Sequence, residues 1–516
     1  MGSDSVRQEQ ESGTQGKYLE QLEPFVSKMR QSKLPEQAIR LFCHYYRQLR
    51  EGAAGFVPGA EAQPVDVVPA LYGLDQAYAT AGRKQLDRVV LWKLNGGLGT
   101  SMGMHGPKSV LPAKGGLTFL DIILRQVLHQ RRSTGARLPL VLMDSFHSQH
   151  ASKTLLDDYP EFTQDIPSRF LQHRVPKVWV HSLSPAVWPR DPEMEWCPPG
   201  HGGIYASLAM DGLLDEMLAA GYEYAFVSNA DNLGAVVEPR ILGYLAERGL
   251  PFLMEVTLRT CADSKGGHLA RRPDGRLMLR ELSQCPPDEQ PLFYDTETYR
   301  YFNTNNLWLH LPTLRRVLAE RDGMLELPLI RNVKPIDPAD PSSPAVYHLE
   351  TAIGAAIAAF PEAEALLVPR SRFVPVKKTN DLLLLWSDAY QLAPGYRIEL
   401  ASRQTGFQSS LPPNVELDER YFRTVREITL RFPFGAPSLR QCRELKVTGN
   451  VYFGRNVILL GRVHVINERE TPFWIPDGAV LTGEVRRPAP RPHRLDRGAE
   501  ERAKASGSEY LLPPTS

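Results

Sequence analysis

The sequence predicts an α/β protein, with a doubly wound sheet at its centre, helices before it and a parallel β-helix after it. Three observations carry that reading. Between about residues 86 and 395, compact apolar runs alternate with amphipathic stretches, the pattern of strands joined by crossover helices. The first of those runs ends in a loop rich in glycine, Asn95-Gly96-Gly97-Leu98-Gly99-Thr100-Ser101-Met102-Gly103. Near the C-terminus the period changes. Leu445, Val451, Val457 and Val463 recur every six residues, as do Val447, Phe453, Leu459 and Val465. Gly449, Gly454, Gly461, Asn450 and Asn456 punctuate the intervals, as turns between stacked coils require. Two hairpins would explain the alternation but not this register.

A chain of 516 residues is too long for one core. It divides into a polar, disordered tail (1–16), an N-terminal helical segment (17–85), a central domain (86–395), the β-helix (410–487) and a second disordered tail (488–516). In the helical segment, Leu19, Leu22, Phe25, Val26 and Met29 have helical spacing. Pro35 then opens a second helix carrying Ala38, Ile39, Leu41, Phe42 and Tyr45. A Gly-, Ala- and Pro-rich linker, Glu51 to Gln63, follows.

The apolar run Arg88 to Trp92 predicts the first strand of the central domain. Leu117 to His129, with Phe119, Ile122, Ile123 and Val127 on one face, predicts a helix. Leu138 to Met143 is a second strand, Ser148 to Leu156 a helix, and Val178-Trp179-Val180 a third strand. Ile204 to Ala220 reads as one amphipathic helix, Tyr224 to Ser228 as a fourth strand and Phe252 to Thr257 as another. Sheets of this kind hold ligands at the carboxyl ends of their strands.

Net charge of +1 gives no electrostatic case for nucleic acid or an anionic membrane as partner. The five cysteines are scattered and lack C-x-x-C spacing, which fits reduced thiols rather than a zinc site or a disulfide scaffold. No stretch approaches the ~18 apolar residues of a membrane span. The N-terminus has no apolar signal region, and Val6 stands where a myristoylation site needs Ser or Thr. The expectation is a soluble, cytoplasmic protein.

The glycine loop suits phosphate, because glycine admits close approach and successive N–H groups can point inward as donors. Lys108 could add a point charge. Two familiar phosphate loops do not fit. Gly97, Gly99 and Gly103 are spaced one residue too widely for G-x-G-x-x-G, and Pro107 separates Gly106 from Lys108 where a Walker loop needs Gly-Lys. An NAD-dependent oxidoreductase also wants an acid ~20 residues past the loop, whereas Asp144 lies about 40 past it.

Further polar groups follow predicted strand ends. Gln172 carries an amide that can donate and accept together. Pro198-Pro199-Gly200 breaks regular structure and sets His201 at the mouth of the next helix. Asp231, past the fourth strand, is placed either to bind Mg²⁺ beside substrate phosphates or to make a helix-capping turn. Glu350 on its own reads as a first-turn helix acid.

Taken whole, these phrases resemble the UTP–glucose-1-phosphate uridylyltransferases. The loop L-N-G-G-L-G-T-x-M-G and then G-P-K-S are followed in order by F-x-Q-x-R-x-P at Phe170, P-P-G-H-G at Pro198 and N-x-D-N-L-G at Asn229. A-D-x-K-G-G at Ala262, F-N-T-N-N-L-W at Phe302, L-E-T-A-x-G-A-A at Leu349 and V-P-R-S-R-F-x-P-V-K at Val368 complete the series. The resemblance spans roughly residues 18 to 487. It implies a Rossmann-like nucleotidyltransferase sheet as catalytic domain and a left-handed β-helix at the end. It implies uridylyl transfer from UTP to glucose 1-phosphate, with Mg²⁺ as cofactor and no covalent intermediate.

By the same resemblance, Leu94, Asn95, Gly96, Gly97, Lys108, Gln172, Gly200 and Lys377 bind the nucleotide. His201, Asn229, Asp231, Lys265, Asn305 and Glu350 hold the sugar phosphate, Asp231 ligates the metal, and Lys108 and Lys377 act on the reacting phosphorus. Gly203 departs from the pattern, since most members carry aspartate there. Two other readings stand beside this one: a uridylyltransferase for another sugar 1-phosphate (galactose or N-acetylhexosamine), and a non-catalytic scaffold. A homo-oligomer joined through the β-helix is also expected, as in some relatives.

Overall fold

The computed structural model describes residues 20–52, 55–97, 99, 102–104, 106–260, 263, 266–338, 340–401 and 411–489. Tail 1–16, nearly all of tail 488–516, and Lys265 lie outside them.

Among the described residues, nine strands form the central sheet. They are β1 (Val89–Asn95), β2 (Leu140–Asp144), β3 (Arg169–Leu171), β4 (Tyr224–Asn229), β5 (Phe252–Leu258), β6 (His268–Arg271), β7 (Leu277–Arg280), β8 (Tyr301–His310) and β9 (Glu364–Leu367). Their order is β7-β6-β8-β4-β1-β2-β3, with β5 pairing to β8 and β9. Strands β4, β1, β2 and β3 run parallel, and β8 is antiparallel to β4 and β5. Every residue of β1 and β2 is buried. Alternation sends Val90, Trp92 and Leu94 into one core and Val89 and Leu91 into another, so helices cover both faces. Since β1 leads to β2 on one side and pairs with β4 on the other, the chain reverses its winding at β1, where ligands of such sheets bind.

Three sequence expectations need correction. Val178–Trp179 is not in this sheet. It pairs with Ala345–Glu350, itself paired to Ile330–Pro335, and the strand beyond β2 is Arg169–Leu171. That strand lies at the sheet's edge with a single neighbour, and of its three residues only Phe170 is buried, so it carries no apolar run to read. The helix expected over 204–220 is two, Ile204–Met210 and Leu213–Ala219, parted at Gly212, whose φ of +70° ends the first. Glu350 opens no helix: it ends a strand, and a 3₁₀ helix, Ile353–Ala359, follows. The backbone between them is engaged by the neighbouring loop, Thr351 N–H donating to Pro199 O and Gly202 N–H to Thr351 O, both at 2.9 Å.

Two N-terminal helices, α1 (residues 20–31) and α2 (Glu36–Arg50), join through Phe25, Phe42 and Tyr46. They bury Val175, Val178, Trp196 and Leu349 beneath them, bracing the segment that leads to Gly200. At the other end, Asn414–Leu417, Ser438–Thr448, Ile458–Asn467 and Val480–Arg487 form a parallel four-stranded sheet, and Val451–Phe453 pairs parallel with Phe473–Ile475. Leu445 faces Val463 and Val447 faces Val465, three six-residue intervals on, and all eight residues of the two series are buried in one core. That core also takes in Leu383 and Ala389 of the preceding segment.

Candidate active site

The carboxyl ends of β1 to β4 gather most of the residues singled out in the sequence. At the end of β1, Leu94 and Asn229 are register partners across the β1–β4 ladder. Asn95 turns inward: its amide donates to Asp144 Oδ1 and Ser152 Oγ, both at 2.7 Å. Past it, the described residues Gly96 and Gly97 carry no side chain and offer backbone alone. A Cβ on Gly97 would meet nothing within 4 Å, so this stretch is open.

Gln172 follows β3 and is buried, with its amide donating to Gly200 O. Its Oε1 would lie 3.4 Å from a Cβ on Gly96, so the glycine loop, Gln172 and Gly200 meet at one place. Gly200 has φ +79°, and a Cβ there would come within 2.5 Å of Thr351 O and 3.0 Å of Glu350 Cβ; glycine is needed on both counts. A Cβ on Gly203 would stand 2.7 Å from Pro199 Cγ and 2.8 Å from Gln172 Nε2, so glycine there leaves room for that amide.

His201 Nδ1 accepts the Ile353 N–H at 2.9 Å. The ring proton therefore sits on Nε2, leaving a neutral donor. Burial, aided by the nearby Lys377 charge, lowers the His201 pKa from 6.5 to about 4. Burial does the same to His173, also to about 4. Below pH 6.5 the unfolded rings take up protons that the native rings refuse, so stability falls as pH drops from about 6.5 toward 4. Denaturant midpoints at pH 7 and pH 5 should record that fall, and His201→Gln should flatten part of it. An equal fall in the variant would remove His201 as a contributor.

Asp231 pairs with Lys108, Nζ to Oδ2 at 3.2 Å, and Lys108 Nζ also donates to Val376 O at 3.0 Å. Val376 N–H returns to Asp231 O at 3.2 Å, so the Lys377 segment is laced to the β4 loop. Asp231 Oδ1 is buried without a hydrogen-bond partner. A buried carboxylate oxygen left bare is costly. Among the described residues, no group of three or more His, Cys, Asp or Glu could hold a metal unaided. One bare carboxylate oxygen beside the glycine loop nonetheless fits Mg²⁺, which takes one or two carboxylates plus phosphate oxygens.

Asn305 stands on a β-bulge. The β5–β8 ladder pairs Glu255 with Asn306 and Val256 with Asn303, leaving Thr304 and Asn305 unpaired. Asn305 has φ +57° and is held by Asn303, which donates to its Oδ1 at 2.8 Å and accepts its N–H at 3.0 Å. Glu350 accepts from Lys334 and Asn332, each at 3.0 Å. Burial alone would raise its pKa, but the His348 and Lys334 contacts outweigh this and lower it to about 2. Lys377 is exposed, and its charge acts on His201 and on Glu281.

Several site-building residues were not singled out in the sequence. Lys93 is buried under the β4 loop and donates to Ser228 Oγ at 2.7 Å and Ala235 O at 2.9 Å. Burial foremost, then the Arg372 charge, brings its pKa down to about 7. Glu255, fully buried, accepts from Arg372 Nη2 at 2.6 Å and Nε at 2.8 Å, from Trp308 Nε1 at 2.8 Å and from Asn306 at 3.0 Å. Asn232 donates to Asn306 Oδ1 and Arg372 O, both at 3.1 Å, and accepts the Val374 N–H at 2.9 Å. A single charge inside an otherwise apolar strand, Lys93 in β1 and Glu255 in β5, was the signal available.

A profile of the family described as UTP–glucose-1-phosphate uridylyltransferase matches residues 57–460. The UTP–glucose-1-phosphate uridylyltransferase of Solanum tuberosum is 41% identical over 404 residues, covering 78% of this chain and 82% of that one. The Saccharomyces cerevisiae protein of the same name is 39% identical over 401 residues, 78% of each. Among solved structures, a mutant UDP-glucose pyrophosphorylase from Leishmania major in complex with UDP-glucose is similar at TM-score 0.83 and 41% identity, over 90% of this chain and 99% of that one.

Proposed function

The chain belongs to the UTP–glucose-1-phosphate uridylyltransferase family, and from that premise we propose how its residues share the work of joining UTP and glucose 1-phosphate into UDP-glucose and pyrophosphate. The observation that carries the proposal is the meeting of Gly96, Gln172 and Gly200 beside the laced Asp231–Lys108–Val376 segment, at one edge of one sheet. A phosphate oxygen of glucose 1-phosphate attacks the α-phosphorus of UTP, the bond to the β-phosphate oxygen breaks, and pyrophosphate leaves. Nothing covalent forms on the protein, so its task is alignment and charge neutralisation.

Gln172 reads the uracil edge while Gly96 and Gly97 offer backbone to the nucleotide. The neutral Nε2–H of His201 donates to a sugar-phosphate oxygen, and Asn305 and Glu350 take hexose hydroxyls. Asn229 lies beside Leu94 at the same edge, and Lys265 belongs to this group by its motif alone. Asp231 would hold Mg²⁺, which supplies charge stabilisation to the phosphates when bound. Lys108 and Lys377 flank the reacting phosphorus. A pyrophosphate-release assay across nucleoside triphosphates and sugar 1-phosphates tests the whole reading. UTP with glucose 1-phosphate should be the preferred pair, and ATP or dTTP serving as well as UTP would remove the role given to Gln172.

Lys377→Ala should lower kcat by about 10²–10³-fold, the scale of one lost donor to a developing oxyanion, with glucose 1-phosphate binding little changed. Its charge matters most as negative charge moves toward departing pyrophosphate. Normal kcat with only a raised KM would make Lys377 a uniform binder.

The finer architecture belongs to the same proposal: the C-terminal parallel strands are the coils of a short left-handed β-helix, supported by the six-residue register. Its last strand among the described residues, Val480–Arg487, is largely exposed and pairs with one described neighbour. Such an edge invites a second copy. Light scattering should report an oligomer that Val480→Asp weakens; a monomer, or an unchanged mass in the variant, would end the idea. No helix among the described residues is long and apolar enough to cross a membrane. Among the described residues Cys43, Cys197, Cys285 and Cys442 form no disulfide, and a cytoplasmic setting completes the proposal.

A further inference from the structure

We propose that Asp381 is a positioning residue for Lys377, acting on the reaction through the backbone it holds; the inference rests on the role given to Lys377 above. The main-chain donors from residue 374 to 378 are all assigned. Val374 N–H goes to Asn232 Oδ1 at 2.9 Å, residue 375 is proline, and Val376 N–H goes to Asp231 O at 3.2 Å. The next two, Lys377 and Lys378, both donate to one oxygen, Asp381 Oδ2, at 2.8 and 2.9 Å. The segment is thus tied to the Asp231 loop on its N-terminal side and to a single carboxylate on its C-terminal side.

A helix cap is the ordinary explanation of Asp381. It is the third residue of helix Thr379–Trp386, and a capping box bonds such a carboxylate to the N–H of the N-cap residue, here Lys378. The bond to Lys377 goes one residue further. It satisfies no donor of the helix, so capping does not require it. What it does fix is the root of an exposed lysine. A four-carbon side chain has many rotamers, and a displaced backbone root displaces the ammonium at its end. Misplacement of ~1 Å at an aligned reacting centre can cost ~10²-fold. Asp381 also lies within electrostatic reach of Lys108 and Asp231, so it faces the same cluster of charges that Lys377 serves.

Helix Thr379–Trp386 is itself secured by its buried leucines, Leu382, Leu383 and Leu385, so loss of one cap bond should leave it folded. The test is a double-mutant cycle on the full chain, read by pyrophosphate release and thermal unfolding. Asp381→Ala should lower kcat by about 10- to 100-fold, with KM for both substrates within about twofold. Asp381→Asn, which keeps an oxygen facing the two N–H groups, should restore most of that loss. In the Lys377→Ala background, Asp381→Ala should cost nothing further, because the group it positions is gone.

Additive losses would overturn the proposal, as would a loss confined to KM or an Asp381→Asn enzyme as slow as Asp381→Ala. Should Asp381→Ala fail to fold, Asp381→Ser, too short to reach Lys377 N–H, takes its place in the same cycle. The two readings separate cleanly. Lys377→Ala at wild-type kcat removes the role of Lys377, and Asp381→Ala slowing the enzyme regardless shows Asp381 acting elsewhere.

Discussion

Asp231→Asn should abolish Mg²⁺-dependent turnover while leaving the protein folded. The substitution keeps the side chain's shape and exchanges one buried carboxylate for an amide. Two things go with the charge. The bare Oδ1 no longer offers a formal charge to a cation, and Lys108 loses its ion-pair partner at 3.2 Å, keeping Val376 O. A metal that stabilises phosphoryl charge contributes several kcal/mol to the barrier, and about 4 kcal/mol corresponds to about 10³-fold in rate. The fold should tolerate the change because the Lys108–Asp231 pair is only partly buried, each side chain retaining some exposure. Pyrophosphate release titrated with Mg²⁺ checks the result. Wild-type turnover at an unchanged Mg²⁺ midpoint would dismiss Asp231 as the ligand.

The second large effect concerns stability. Arg372→Met should destabilise the protein by about 3–5 kcal/mol, the cost of leaving a buried ion with no counter-ion. Glu255 has no exposed surface, and its remaining donors, Trp308 and Asn306, are neutral. Among the described residues no other cation donates a hydrogen bond to Glu255, and the nearby Lys93 Nζ is engaged by Ser228 and Ala235. The double variant Glu255→Gln/Arg372→Met should recover much of the loss, since removing both charges removes the desolvation penalty with the attraction. Denaturant unfolding decides it. A single variant as stable as wild type would mean that the pair's geometry contributes nothing.

The buried ion pair also bears on how the site is built. Arg372 turns its guanidinium to Glu255 and its carbonyl oxygen to Asn232 and Asn306, so one residue joins β5, β8 and the β4 loop. Asp231 and Lys377 extend from the two ends of that junction. A site made of flexible lysines and one carboxylate gains its rigidity from this layer beneath it.

Sequence alone determined the alternating α/β order, because strand burial on both faces forces continuous apolar runs such as Val89 to Trp92. It determined the six-residue C-terminal register, because parallel strands that share one core must repeat their buried positions, and it marked the loops that follow β1, β3 and β4. Those are local constraints, written in neighbouring residues. Tertiary structure decided the rest. Strand Arg169–Leu171 took the edge place because an edge strand needs no apolar signature. Val178–Trp179 went to another sheet because its partner, Ala345–Glu350, lies more than 160 residues away. Asn95 was drawn inward by Asp144, 49 positions along the chain, and Lys377 was fixed by a carboxylate of the next helix. Hydrogen bonds and ion pairs are short-ranged in space and indifferent to sequence distance, so which polar groups meet is settled only when the chain has closed on itself.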